Sequence, residues 1–207
     1  RFRFRDTIIG TPTVTAASTG LTSGTQVETI VAAGPSRVGF ATAPQTVAAG
    51  ACSALTTAQS QDGAGNPSNV LAATVVNLTT SAAATGRFYS DASCTTQVAS
   101  VTIAAGTSNA GFYFSDTLAG SPTLTGSAAT LTSGTQGETI TAATASRLAF
   151  TSAPQSVTAG ACALVTAFRT EDIYGNLAPV GAATTVTLSS SSGAGTFYSD
   201  SGCTAAV

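Results

Sequence analysis

Four cysteines are the residues of this chain whose types and spacing most directly suggest chemistry. They form two similarly spaced pairs, Cys52 with Cys94 and Cys162 with Cys203. An even number of cysteines in a lysine-free chain rich in Ser and Thr is typical of disulfides formed in an oxidising compartment. The alternative is a four-cysteine metal site, but such sites use close C-x-x-C pairs, which this sequence lacks. We therefore predict the disulfides Cys52–Cys94 and Cys162–Cys203.

Aspartates that recur at matching positions are the second group with possible chemistry. Asp62 matches Asp172, and Asp91 matches Asp200. Carboxylates at loop ends are ligands that Ca²⁺ accepts, so these four are the candidate calcium ligands. The alternative is that each Asp caps its own turn through backbone N–H groups. Because no D-x-D-x-D spacing occurs, the sequence favours capping and predicts no cofactor.

The composition excludes several function classes. The chain has 207 residues and no His, Trp or Met, only 8% of its residues are charged, and the net charge is −2. A nucleic-acid-binding protein needs a clustered basic face, which this balance does not supply. No two acids have an evident partner base, so we do not expect an enzyme. No stretch approaches the ~20 apolar residues of a membrane-spanning helix, and none is predicted.

An internal repeat with a period of about 110 residues organises the chain. Leu21–Gln26 returns as Leu131–Gln136, and the Asp62, Gly65 and Asn66 pattern returns as Asp172, Gly175 and Asn176. The offset falls by one residue in the Ser- and Gly-rich stretch after Leu188. This period is the size of a small domain, so the repeat predicts consecutive similar domains.

The phase of the repeat predicts three parts. Residues 1–33 correspond to the C-terminal strands of a preceding repeat, 34–143 to a complete repeat, and 144–207 to the N-terminal part of a following one. The counterpart of residues 99–110 is missing after Val207.

Short stretches of alternating apolar and polar residues predict strands throughout. Arg1–Arg5 places two Phe on one side and three Arg on the other, the period of two of a half-buried strand. The other predicted strands are Val38–Val47, Ala51–Gln61, Thr74–Thr80, Gly86–Ser90, Val98–Ala104, Pro122–Ser127 and Gln136–Ala142. Many short strands without a helical period indicate an all-β fold, a β-sandwich with Greek-key connections.

Phe2 and Phe4 suggest a route to self-assembly. Their strand has no sandwich of its own to join, while residues 144–207 lack the strands equivalent to 111–143. One chain's first residues could complete another chain's last repeat, a contact that propagates into an open fibre. The predicted partner is therefore the chain itself, as a homopolymer or a tandem continuation.

The turn with Gly65 and Asn66 carries a resemblance to a known family. Asp62–Val70 followed by Thr74–Leu78, and again Asp172–Val180 followed by Thr185–Leu188, are similar to bacterial immunoglobulin-like domains of invasin, intimin and large surface adhesins. A strand ending in Asp-x-x-Gly-Asn-Pro and then an alternating strand is typical of them. The second copy keeps Gly175 and Asn176 but has Leu177 in place of Pro. The resemblance implies tandem immunoglobulin-like sandwiches.

These patterns predict a structural function. The resemblance implies a repeat unit of an extracellular or cell-surface filament, stalk or fibre. Two alternatives stay open: the extender region of a bacterial adhesin, and an accessory module of a secreted carbohydrate-active enzyme.

Overall fold

The computed structural model describes residues 1–207, and every regular element in it is a β-strand. The chain divides into two compact units, Arg1–Thr141 and Ala142–Val207. The strands of the first unit are β1 (Thr13–Ala16), β2 (Gly24–Val27), β3 (Arg37–Phe40), β4 (Thr46–Ala48), β5 (Thr56–Gln61), β6 (Thr74–Thr80), β7 (Arg87–Tyr89), β8 (Gln97–Val98), β9 (Ser100–Ile103), β10 (Asn109–Ser115), β11 (Thr123–Ala128), β12 (Leu131–Gly137) and β13 (Thr139–Thr141). The second unit contains β14 (Arg147–Phe150) and β15 (Phe168–Glu171). The three-part division of the sequence stays a prediction.

A nearly closed β-sandwich makes up most of the first unit. Its nine strands are hydrogen-bonded in the order β8-β7-β10-β5-β3-β12-β11-β6-β9. All neighbours in this order are antiparallel except β12 and β3, which run parallel through the pair Thr132 and Arg37. Strands β13 and β4 also pair in parallel, beside this seam. The sheet therefore folds over at the β3–β12 seam into two layers.

The core lies between these layers and contains few large side chains. Phe112 and Phe114 of β10 are fully buried, as are Ile103, Val76 and Leu124 of the other layer. Phe88 lies in edge-to-face contact with Phe112, with ring centroids 5.7 Å apart. The alternation of buried and exposed residues along β10 and β11 is the pattern expected of strands with one buried face.

The first residues carry a hairpin that repeats part of this sandwich. Strands β1 and β2 pair with Thr13 opposite Val27. Strands β11 and β12 pair in the same register 110 residues later, with Thr123 opposite Gly137. The bridge between Gly10 and Ile30 likewise matches the bridge between Gly120 and Ile140.

The strand bounds differ from the sequence prediction in several places. The predicted strand at residues 1–5 does not form, because its equivalent in β10 exists only through pairing with β5 and β7. Val38–Val47 is two strands, β3 and β4, since the chain changes pairing partner around Pro44, which has no N–H to donate. Gln136–Ala142 is likewise divided at Glu138, between β12 and β13.

Two further predicted strands have different bounds. Ala51–Gln61 begins as a strand only at Thr56, because the residues before it, including Cys52, follow the turn at Ala49 and Gly50 without strand pairing. Val98–Ala104 is divided between β8 and β9, which pair with different neighbours.

The second unit keeps the local structure of the repeat but little of its sheet. Strands β14 and β15 pair in the register Arg147 with Glu171, which repeats the pairing of Arg37 with Gln61. Residues 184–190, equivalent to β6, form no strand here. Because β6 is held in the sandwich by β11 and β9, its equivalent lacks the neighbours that would make it a strand.

One disulfide closes a long loop in each unit. Cys52 bonds Cys94 across a separation of 42 residues, and Cys162 bonds Cys203 across 41. The structure has no free cysteine.

Candidate functional site

The turn that begins at Asp62 is built around a buried carboxylate. Asp62 is 3% exposed. Its Oδ1 accepts the N–H groups of Ala64 and Asn66, both at 2.9 Å. Its Oδ2 accepts the Asn66 side-chain amide at 2.9 Å and the Ala33 N–H at 3.1 Å. Gly65 takes φ +94°, a left-handed conformation that glycine adopts without strain.

The turn that begins at Asp172 has the same set of contacts. Asp172 is fully buried. Its Oδ1 accepts the N–H groups of Tyr174 and Asn176, and its Oδ2 accepts the Asn176 side chain at 2.8 Å and the Ala143 N–H at 2.9 Å. Gly175 takes φ +92°. The recurring contacts make this turn a fixed part of the repeat.

These hydrogen bonds lower the pKa of both carboxylates. The bond from Asn66, with those from backbone amides, lowers the pKa of Asp62 to about 2 despite its burial. Burial raises the pKa of Asp172, but the bonds from Asn176 and the surrounding amides outweigh it and lower that pKa to about 2. Four donors occupy the oxygens that a calcium ion would need in each turn. No group of three or more His, Cys, Asp or Glu side chains is placed to hold a metal ion.

Asp91 and Asp200 hold a different turn, next to the disulfides. Asp91 accepts the Thr96 N–H at 2.6 Å and the Ser93 N–H at 3.0 Å. Asp200 accepts the Ala205 N–H at 2.6 Å in the equivalent place. The Thr96 bond, with others from the same turn, lowers the pKa of Asp91 to about 2, and the Ala205 bond lowers that of Asp200.

Each of these turns positions a disulfide cysteine. Cys94 and Cys203 have φ 51° and 52°, a left-handed conformation that is uncommon for residues other than glycine. Each cysteine N–H donates to the carbonyl of the Asp three residues earlier. The Asp turn therefore holds the cysteine in the conformation that its disulfide uses.

Asn66 also binds the chain that precedes the sandwich. Its Nδ2 donates to the Thr7 carbonyl at 2.8 Å, and its Oδ1 accepts the Ile9 N–H at 3.3 Å. Ser68 donates its hydroxyl to the Ala33 carbonyl at 2.5 Å. The sequence predicts Asn66 only as a turn residue. Its contacts with Thr7 and Ile9 were not predicted, because these residues lie more than fifty positions away in sequence. The only sequence signal for a further role of Asn66 is that it recurs together with Asp62.

Phe2 and Phe4 have the same repeat positions as two core residues but a different environment. Phe2 is 76% exposed, whereas its equivalent Phe112 is 0% exposed. Phe4 is 46% exposed, whereas its equivalent Phe114 is 1% exposed. The segment that carries them is therefore an unpaired strand sequence.

Residues 144–207 present a matching set of exposed apolar side chains. Leu148 is 50% exposed, although its equivalent Val38 is 2% exposed. Phe150 and Phe168 pack only edge to face against each other, with centroids 6.3 Å apart, and both remain exposed. Phe168 is 40% exposed, although its equivalent Ala58 is 0% exposed. Leu148 and Phe168 are therefore exposed at positions that are buried in the sandwich of the first unit.

The glycine of the repeated Leu-Thr-Ser-Gly-Thr-Gln motif also has different surroundings in its two copies. A Cβ on Gly134 would lie 2.2 Å from the backbone oxygen of Val38, because β12 passes directly against β3. A Cβ on Gly24 would meet nothing within 4 Å. Glycine at position 24 has no packing requirement in the isolated hairpin.

Glu138 contributes a buried polar contact at the same seam. Its carboxylate accepts the Gln45 N–H and the Gln136 side-chain amide, the latter at 2.6 Å. Its equivalent Glu28 accepts only the Gln26 side chain, at 2.7 Å. The sequence analysis did not single out either glutamate.

Glu171 lies in an ion-pair cluster with two arginines, a pairing that the sequence did not predict. Arg147 and Arg169 each place a guanidinium nitrogen 2.8 Å from one of its carboxylate oxygens. The bonds from Arg169 and then Arg147 lower the pKa of Glu171. At the matching position of the first unit, the Arg37 Nε–H donates to the uncharged side chain of Gln61 at 3.1 Å.

No helix in the structure is long and apolar enough to cross a membrane.

No family model matches the sequence, and no curated protein matches it. Among solved structures, a glycosyl hydrolase family 2 member from Bacteroides cellulosilyticus is similar over 65% of this chain, with 16% identity and a TM-score of 0.42. A β-glycosidase from Bacteroides vulgatus is similar over 64%, with 17% identity and a TM-score of 0.42. Domains 4 and 5 of the S-layer protein SbsC are similar over 64%, with 18% identity and a TM-score of 0.36.

The similarities cover only part of those proteins. This chain spans 18% of the first glycosyl hydrolase, 17% of the β-glycosidase and 58% of the SbsC fragment.

Proposed function

We propose that the chain is a structural part of an extracellular array of immunoglobulin-like β-sandwich repeats, in which strands of the same sequence complete each repeat. One observation carries the proposal: positions that are buried in residues 34–141 are exposed at their equivalents in 1–33 and 144–207. Burying such side chains contributes about 1.5–3 kcal/mol each, so both open segments gain by meeting a complementary strand.

The connectivity of the complete sandwich supports the immunoglobulin-like assignment. Strand β5 pairs with β10, and β6 pairs with β11, so strands distant in sequence are neighbours in both layers. The chain segment of β3 and β4 meets β12 and β13 in parallel, joining the first strand region to the last. Such non-sequential neighbours are typical of Greek-key sandwiches.

Repeat equivalence gives the register of the proposed contact. Phe112 pairs with Thr56, and Phe114 with Phe88. By equivalence, Phe2 pairs with Thr166 and Phe4 with Phe197. This register brings Phe2 to Phe150, the exposed equivalent of Phe40, and brings both Phe rings to Phe197, the equivalent of Phe88.

Polar groups match at the same contact. The Thr139 N–H donates to the Gln45 carbonyl, and Glu138 accepts the Gln45 N–H. By equivalence, the Thr29 N–H donates to the Gln155 carbonyl, and Glu28 accepts the Gln155 N–H. The incoming segment therefore brings hydrogen-bond partners as well as apolar surface.

The same register serves a continuous tandem chain and a contact between copies. In both cases one end of a repeat meets the opposite end of another, so the contact is heterologous and builds an open array. The disulfides support an extracellular or cell-surface location. The adhesin-extender and accessory-module alternatives stay predictions.

The experiment uses Gly24 to block the contact without disturbing the hairpin. A G24A variant adds a Cβ where the isolated hairpin has open space, but where the equivalent Gly134 lies against the Val38 backbone oxygen. The matched control is T25A, because Thr25 and its equivalent Thr135 are both exposed. Oligomer size of the oxidised 207-residue chain is measured by sedimentation velocity over a concentration series, and by electron microscopy.

The expected result is end-to-end polymers for the wild type and for T25A, and monomers for G24A at the same concentrations. Circular dichroism spectra of the three proteins, recorded at concentrations low enough for all of them to be monomeric, should agree, which shows that the variants fold alike. If G24A forms polymers of the same size as T25A at the same concentrations, the proposed register is wrong. Polymers that persist after deletion of residues 1–33 would contradict the role of this segment.

A further inference from the structure

The turn from Asp62 to Asn66 makes two sets of contacts that face in different directions. One set closes the turn itself, through the N–H groups of Ala64 and Asn66. The other set binds the preceding chain: Asn66 bonds the backbone of Thr7 and Ile9, and Asp62 bonds the Ala33 N–H. A turn that only reversed the chain would not need the second set.

The two attachment points lie at separate places in the preceding segment. Thr7 and Ile9 stand before the β1–β2 hairpin, and Ala33 stands after it, at the entry to β3. A single attachment at Ala33 would leave the hairpin free to rotate about the Ala33–Pro35 connection. Two attachments on opposite sides of the hairpin remove that rotation.

The second unit shows that the Ala33 contact is a property of the repeat. The Ala143 N–H donates to Asp172 Oδ2 at 2.9 Å, as the Ala33 N–H does to Asp62. Ala143 lies four positions before the first residue of β14, as Ala33 lies four positions before the first residue of β3. The carboxylate is therefore used at both repeat entries to hold the incoming chain.

We propose that the Asp-x-x-Gly-Asn turn is an interdomain clasp: it binds the segments that flank the last hairpin of the preceding repeat and fixes the angle between consecutive repeats. This inference rests on the proposed function, since it assigns a partner to the turn only where one repeat follows another. The partner is recognised through its backbone, at one carbonyl and two N–H groups. Side-chain identity at positions 7, 9 and 33 is therefore free to vary while the contact is kept.

The test removes the outward contacts and observes the hairpin in the full oxidised chain. N66A deletes the amide that binds Thr7 and Ile9. N69A is the matched control, because Asn69 is exposed in the same loop. Residual dipolar couplings are measured for amides in β1 and β2 and for amides in β5, β10 and β11. Amide hydrogen exchange at Ile9 is measured on the same samples.

In the wild type and N69A, one alignment tensor should fit the hairpin and the sandwich together. In N66A, the hairpin couplings should shrink by at least about half, and Ile9 exchange should accelerate about fivefold, the change expected for one lost hydrogen bond. Unchanged couplings and exchange in N66A would overturn the clasp.

A second variant covers the case in which N66A disturbs the sandwich. I9P removes the N–H from the other side of the contact, outside the sandwich. It leaves the bond from Asn66 to the Thr7 carbonyl, so the hairpin couplings should shrink in I9P, but by less than in N66A. Hairpin couplings that stay fixed in I9P would overturn the proposal. Polymer formation reports on the proposed function separately: loss of the clasp predicts flexible polymers, whereas failure of the array predicts none.

Discussion

Phe112 and Phe2 occupy the same position of the repeat, so replacing each by alanine compares one side chain in two environments. Phe112 is fully buried and lies 5.7 Å from the Phe88 ring and 6.3 Å from the Phe40 ring, centroid to centroid. Truncating such a Phe costs about 3–5 kcal/mol, from lost burial and the cavity that remains. Phe2 is 76% exposed, and its truncation should change stability by less than about 0.5 kcal/mol.

The assay is urea unfolding of the oxidised 207-residue chain, followed by far-UV circular dichroism at concentrations where the chain is monomeric. A domain is stable by about 5–15 kcal/mol, so F112A is expected to lose a large part of that stability. F112L, which keeps most of the apolar volume, should lose about 1–2 kcal/mol and covers the case in which F112A does not fold.

The effects of F2A and F112A on monomer stability decide whether Phe2 is exposed in solution. If F2A lowers the monomer's stability as much as F112A does, then Phe2 is buried in the monomer in solution and the first residues are not an open strand. If F2A is neutral in the monomer yet lowers the amount of polymer, the side chain is used only in assembly. L71S is the control for surface hydrophobicity, because Leu71 is 98% exposed outside the strand segment.

Three further predictions follow from the contacts of the sandwich and the turns. G134A should destabilise the monomer by about 1–3 kcal/mol, because its Cβ would lie 2.2 Å from the Val38 oxygen, and G137A, with open space at its Cβ, should be nearly neutral in the same urea assay. Asp62, Asp91 and Asp172 have pKa values near 2, below the ordinary 3.8, so their stabilisation is full above about pH 4 and is lost as the pH falls towards 2. Urea midpoints from pH 6 to pH 2 should show this loss, D62N should make it shallower, and a flat profile in the wild type would contradict the hydrogen-bonded carboxylates. E171Q should lower Tm by no more than about 3 °C, because both arginine partners are half exposed and Gln61 occupies the equivalent position of the first unit. In 0.5 M NaCl the Tm difference between wild type and E171Q should become smaller. A much larger drop in Tm would mean that the arginines are buried with the carboxylate.

The sequence predicted the all-β architecture because the signals for it are local. Alternation of apolar and polar residues along β10 and β11 needs only neighbouring residues, and turn residues such as Gly65 and Asn66 separate the strands. The breaks within Val38–Val47 and Gln136–Ala142 were not predicted. They arise where the chain changes pairing partner, and the identity of the partner is not encoded locally.

In the candidate site, too, the contacts between residues distant in sequence were not predicted. The repeated Asp-x-x-Gly-Asn pattern indicated a turn, but the outward contacts of Asn66 with Thr7 and Ile9 depend on how the preceding hairpin approaches the sandwich. The glycine of the Leu-Thr-Ser-Gly-Thr-Gln motif was visible as a repeated residue. Its reason, the close approach of β12 to the Val38 backbone, requires the folded seam.

The disulfides occupy the part of the repeat that most needs them if repeats are completed by other strands. Cys162 and Cys203 both lie within 144–207, so their bond closes the segment without help from the strands it lacks. Closing a loop of this length stabilises the ordered state by about 4 kcal/mol, mainly by restricting the unfolded chain. Asp200 adds a turn that holds Cys203 in its left-handed conformation. Under the proposed function, residues 144–207 would therefore keep their apolar face ordered before a strand binds, and this preformed surface would reduce the entropy lost on binding.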